Sequence, residues 1–107
     1  MATGTIQKPL AADVDALNSK IVIERKSVVL TSIGANSPAS ATIGITKNGY
    51  MPVGIVEVFK AGGGNGYMIL TSFNINDATS AVISFYNMYG SALSNITVTA
   101  GIMYMKN

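Results

Sequence analysis

The sequence predicts an all-β protein, an antiparallel, jelly-roll-like sandwich of about six strands behind a short N-terminal helix. Two observations carry this. From Ile21 to the C-terminus, β-branched residues, glycines and short polar breaks dominate, the composition of strands joined by turns rather than of βαβ units. The chain is also only 107 residues long, enough for one domain with one core. The expected division is an arm and helix over residues 1–20 and a sandwich over residues 21–107.

The first nine residues are small and polar and read as an extended arm, and Pro9 is suited to open a helix because its missing N–H costs nothing there. Leu10, Val14, Leu17 and Ile21 then recur at alternating four- and three-residue spacing, the pattern of a helical seam, with Asp13, Asp15, Asn18 and Lys20 between them. A helix this short is marginal alone, so its stripe needs a partner. That partner is either the chain's own domain or the same helix in other copies.

The strands follow in order. The first covers about residues 21–31 and ends at the break Ser32–Pro38; the second covers about 39–46, with Ile43 and Ile45 on one face, and turns at Lys47-Asn48-Gly49. The third covers about 51–61, with Pro52 near its start, where a strand tolerates proline. Gly62-Gly63-Gly64-Asn65-Gly66 then reverses the chain into a fourth strand over about 67–74. The fifth covers about 80–88 and the last about 95–106.

The last strands do not alternate cleanly. Ile96, Val98, Ala100, Ile102 and Tyr104 share one face of the sixth, but Met103 and Met105 occupy the other; Ile83 and Phe85 oppose Val82, Tyr86 and Met88 in the fifth. A strand with one wet face alternates apolar with polar residues. The surplus implies that one face fills the core while part of the other meets a neighbouring subunit. Composition agrees: 49% of residues are apolar and 11% charged, against about a quarter charged in ordinary soluble domains, and six methionines suit an irregular contact. The expected homo-oligomer contacts are Leu10, Val14, Leu17, Ile21, Met103 and Met105.

Other classes are disfavoured. No apolar run approaches the roughly 18–20 residues of a membrane span, and Met1–Gln7 lacks the basic start and apolar stretch of a signal peptide. Seven scattered Lys and Arg residues, for a net charge of +2, do not make the one-sided basic surface of a nucleic-acid reader. With no Cys, no His and five carboxylates, transition-metal sites and cofactor chemistry are not expected. Asp13 and Asp15 suit a helix start, and Glu57 reads as an edge or ion-paired carboxylate. No base is placed beside a nucleophile, so no enzyme is expected.

The run AGGGNGYM lacks the Gly-Lys-Ser/Thr ending of a phosphate loop and reads as a hairpin tip or a recognition loop. Asn74-Ile75-Asn76-Asp77 reads as a turn whose side chains bond their own backbone rather than as a calcium loop, and Asn95-Ile96-Thr97 matches a glycosylation sequon. If the chain binds a sugar, rings and amides near loop tips would hold it: Asn65, Tyr67, Tyr50, Tyr86, Asn87 and Tyr89.

The arm MATGTIQKP, the helix ending DALNSKI and the close ISFYNMYGSALSNITVTAGIMYMKN together resemble small tail-fibre or baseplate-associated proteins of phages and prophages of Firmicutes and gut bacteria. The resemblance spans nearly the whole chain. It implies a homotrimer with a brief helical bundle and three sandwich heads, made in the bacterial host cytoplasm and displayed on the virion at a tail or capsid surface. It also implies other virion proteins and a cell-surface saccharide as partners. The alternative is a decoration or capsid-fibre component that contacts only protein.

Overall fold

The computed structural model describes residues 20–107. The expected helix, with Leu10, Val14 and Leu17, lies outside the described residues. Six strands follow in order: β1 (Ile21–Leu30), β2 (Ser37–Gly44), β3 (Tyr50–Ala61), β4 (Met68–Ile75), β5 (Ser80–Asn87) and β6 (Ile96–Lys106), with one 3₁₀ turn at Asn65–Tyr67. They form two antiparallel three-stranded sheets in the orders β1-β6-β3 and β2-β5-β4. Strand edges fall within about two residues of the expected ones.

The largest departure is β2. It starts at Ser37, inside the expected break, with Pro38 as its second residue. β2 is an edge strand, where a residue without an N–H need not break the ladder. Asn36 enters it with φ 46°, a left-handed conformation that asparagine tolerates better than most residues. Ile45 follows the strand but remains fully buried.

Period-two alternation builds the core. Ile96, Val98, Ala100, Ile102 and Tyr104 of β6 are all 0% exposed and meet Ala41, Ile43, Ala81, Ile83 and Phe85 of the other sheet. Tyr104 is the one of these five with a polar group, and its hydroxyl donates to the Ile45 carbonyl at 2.6 Å. Burial pushes its pKa up, with the nearby Glu24 charge adding to the shift.

The outer face of β1-β6-β3 is ordered by register. Ile21, Met105 and Met51 align across the three strands, as do Ile23, Met103 and Gly54, and next Arg25, Gly101 and Glu57. Glycine at the centre of the third row lets its neighbours meet: Arg25 Nε donates to Glu57 Oε1 at 2.7 Å, and the guanidinium lies 5.0 Å from the Phe59 ring centroid. The expected ion pair at Glu57 is thus present, and the Glu57 hydrogen bond raises the Arg25 pKa. Glu24 is held below the usual carboxylate range by the hydrogen bond from Lys47.

Candidate functional site

Three loops converge where β3 ends and β4 begins. In the first, Gly62 and Gly64 have φ of 124° and 83°, and a Cβ at either would lie 2.5 Å from the Asn95 carbonyl oxygen or 2.4 Å from Leu93 Cδ2. Only glycine satisfies both the angle and the approach. Asn65 Nδ2 donates to the Lys60 carbonyl at 2.7 Å, and the Tyr67 N–H donates to the Gly64 carbonyl at 3.0 Å. The recognition-loop candidate is therefore a fixed turn that delivers Tyr67 to the surface.

The second loop, after β5, is organised by Asn87. This side chain is fully buried; its Nδ2 donates to the carbonyls of Gly34 at 2.9 Å and Ser91 at 3.3 Å, and its Oδ1 accepts from the Tyr89 N–H at 2.9 Å. Asn87 shapes the site from beneath, and its amide is spent on backbone partners rather than aimed at solvent. The third loop joins through the Asn36 N–H, which donates to the Tyr89 carbonyl, and through paired hydrogen bonds between Ile33 and Leu93.

Three of the six sequence-derived binding residues form one surface here. Tyr67 and Tyr89 stack with centroids 4.3 Å apart and planes 23° from parallel. They are 49% and 41% exposed, and Tyr86 is 38% exposed with its hydroxyl donating to the Asn36 carbonyl at 2.8 Å. Asn65 lies at the base of the Tyr67 turn. Tyr50 does not join them. It begins β3, a strand whose other end feeds the site, roughly 35 Å away at the usual rise per residue, and its ring sits under Lys47.

The sequence reading missed the surface that continues from the tyrosines. β2, β4 and β5 contain no charged residue. Pro38, Tyr86 and Ile69 align across the three strands, followed by Ser40, Ser84 and Ser72, then Thr42, Val82 and Asn74. The Ser40 and Ser84 hydroxyls lie 3.3 Å apart and share a hydrogen bond. Met88 extends the aromatic end at 59% exposure. Each strand's lack of charge is visible in the sequence; that the three lie side by side depends on pairing across Ser37–Asn87, which a linear pattern does not encode.

The site is a neutral platform with a stacked aromatic pair at one end and hydroxyl and amide groups beyond it. It can offer rings to an apolar or C–H face and hydrogen bonds to uncharged polar groups. Among the described residues, no cluster of His, Cys, Asp and Glu is arranged to hold a metal ion, and no helix is long and apolar enough to cross a membrane. No protein-family model matches the sequence, and neither a curated protein nor a solved structure matches the chain.

Proposed function

We propose that this chain is a phage-type receptor-binding head, a homotrimer with jelly-roll-like wiring that recognises a cell-surface saccharide on the virion's behalf. The carrying observation is the charge-free sheet that ends in the Tyr67–Tyr89 stack. Sugars present apolar C–H faces and many uncharged hydroxyls, and that surface offers a match for both. The wiring is supported by the β1–β2, β2–β3, β3–β4 and β5–β6 connections, which all pass between sheets.

Oligomer formation is supported by the outer face of the other sheet. Met103 and Met105 gather there with Ile21, Ile23 and Met51, and Ile23, Met51 and Met105 are 56%, 54% and 45% exposed. The patch begins at Ile21, the last of the four expected seam positions and the first residue of β1, and follows Leu10, Val14 and Leu17 in the sequence. The choice of three copies follows the resemblance.

The test is a saccharide array followed by calorimetry on the full chain, with solution mass measured by light scattering. A saccharide ligand whose affinity falls about tenfold in Tyr67→Ala or Tyr89→Ala, as the loss of one stacked ring predicts, supports the reading. A folded oligomer that binds no saccharide overturns it in favour of a virion component that touches only protein, a reading favoured by the exposed Ile69 and Met88 beside the tyrosines.

A further inference from the structure

The two sheets do not close equally on their two sides. On the side where edge strands β3 and β4 run past one another, Val53, Val56, Leu70 and Phe73 are 44%, 48%, 38% and 50% exposed. Between the strands lies a recess of about 170 Å³ bordered by Ile55, Val56, Glu57, Val58, Leu70 and Phe73. Leu70 and Phe73 pair opposite Phe85 and Ile83, two fully buried residues, so they belong to the core-facing side of their sheet. Nothing in the described chain finishes covering them.

Every break in strand register occurs on this flank. β3 is irregular between Pro52 and Gly54 and between Ile55 and Glu57, and β4 between Leu70 and Ser72, whereas β1 and β2 pair without interruption. The extra residues on β3 are Val53 and Val56, so the bulges turn apolar side chains toward an edge, the reverse of the usual use of bulges to blunt one. Three of the four edge strands carry charge or proline: β1 has Glu24, Arg25 and Lys26, β2 has Pro38, and β3 has Pro52, Glu57 and Lys60. β4, MILTSFNI, has neither charge nor proline.

We propose that the β3/β4 flank is the surface through which copies of this chain pack on one another. The inference rests on the oligomeric reading above and names the place of contact between heads. Charge selects a second copy as the occupant. The one ionised group bordering the recess, Glu57, is already engaged by Arg25, and Lys60, further along β3, by the Met68 carbonyl and the Phe85 ring. Identical flanks gathered around a common axis therefore meet without repulsion, while a partner chosen by charge would find none to pair with. The four exposed side chains offer on the order of 300–400 Å² of apolar surface per copy, the size of a functional patch and about half of one side of a standard interface. The N-terminal seam can add to it.

Light scattering on the full chain with Phe73→Glu, Val56→Lys and Ala78→Glu tests this, with circular dichroism to confirm folding. Ala78 is the control, exposed in the turn between β4 and β5. The expected result is an oligomer for the native chain and Ala78→Glu, and a fall toward the 11.1 kDa single chain for the two flank variants. A native oligomer that both folded flank variants retain overturns the flank and leaves the oligomeric reading standing; a native monomer overturns both. If the flank variants do not fold, a nitroxide on Thr71→Cys, in a chain with no other cysteine, gives an independent readout. Label pairs nearer than about 30 Å, a small-domain diameter, support the contact, and their absence in an intact oligomer overturns it.

Discussion

Gly101 sits at the middle of β6, the central strand of its sheet, where glycine normally weakens a strand by about 0.5–1 kcal/mol relative to alanine. Here a Cβ would lie 2.3 Å from Glu57 Cγ, 2.7 Å from Oε1 and 2.9 Å from Cδ. Carbon atoms rest at about 3.5–4.0 Å, so a methyl group needs more than an ångström that the carboxylate occupies. Glu57 must leave its rotamer and its contact with Arg25. Overpacking of this kind costs about 1–3 kcal/mol, so after the intrinsic gain of alanine, Gly101→Ala should destabilise the fold by about 0.5–2 kcal/mol. In a Glu57→Ala background the obstruction is gone, and the same change should be neutral or stabilising by up to about 1 kcal/mol. Urea unfolding of the four proteins of this cycle, at one fixed protomer concentration, measures the coupling. An equal destabilisation in both backgrounds would refute the idea that Gly101 exists to make room for Glu57.

Asn87→Ala should cost about 2–4 kcal/mol by chemical denaturation, because it leaves the Gly34 and Ser91 carbonyls and the Tyr89 N–H without their partner; a loss under 0.5 kcal/mol would show that water replaces the amide. Tyr104→Phe should cost about 1–2 kcal/mol near neutral pH through the lost bond to Ile45. The Tyr104 pKa is raised in the fold, so above about pH 10 the unfolded chain releases this proton first and native stability falls as pH rises. That alkaline loss should shrink in the phenylalanine variant, and an unchanged pH profile would remove Tyr104 as its source. Asp77 is depressed by hydrogen bonds from the Thr79 hydroxyl and backbone and from Ser80. Its contribution is present above about pH 4 and lost as pH falls through the folded value, so Asp77→Asn should be less acid-sensitive than the native chain below about pH 4.

Strand positions were legible because local chemistry sets them. The Lys47-Asn48-Gly49 turn, the glycine loop and the self-bonded Asp77 turn each announce themselves in a few residues, and the period-two faces of β5 and β6 follow from the polypeptide's geometry. Pro38 misled because a proline ends a central strand but not an edge strand, and a linear sequence does not say which strands lie at the edge. The surroundings of Asn87 and Tyr50 were illegible for a related reason. Both are polar residues near turns, but Asn87 is buried under its loop and Tyr50 is at the far end of β3. Partner loops decide such placements, and those come from remote stretches such as Gly34 and Ser91. Nothing in the sequence singles out Leu70 and Phe73; the packing of β3 beside β4 is what leaves them half covered.

The proposed contacts act at different points along the chain, and truncation separates them. A seam before Ile21 and a flank of Val53, Val56, Leu70 and Phe73 would bind in series, the first converting the second into an encounter at roughly millimolar effective concentration. The flank then need not be strong alone, which fits its modest apolar area. Removing residues 1–19 should leave a folded head, because the buried core among the described residues is drawn from β2, β4, β5, β6 and the segments between strands. Its self-association should weaken about 10²–10⁴-fold and become strongly concentration-dependent, while Phe73→Glu in the truncated chain weakens it further, to what the face of Ile23, Met51 and Met105 supports. Light scattering across a dilution series distinguishes the cases. A truncated chain that dissociates at the same concentration as the full one would mean that the heads alone hold the assembly, and the alternating spacing of Leu10, Val14 and Leu17 would then have to be explained by packing on their own domain.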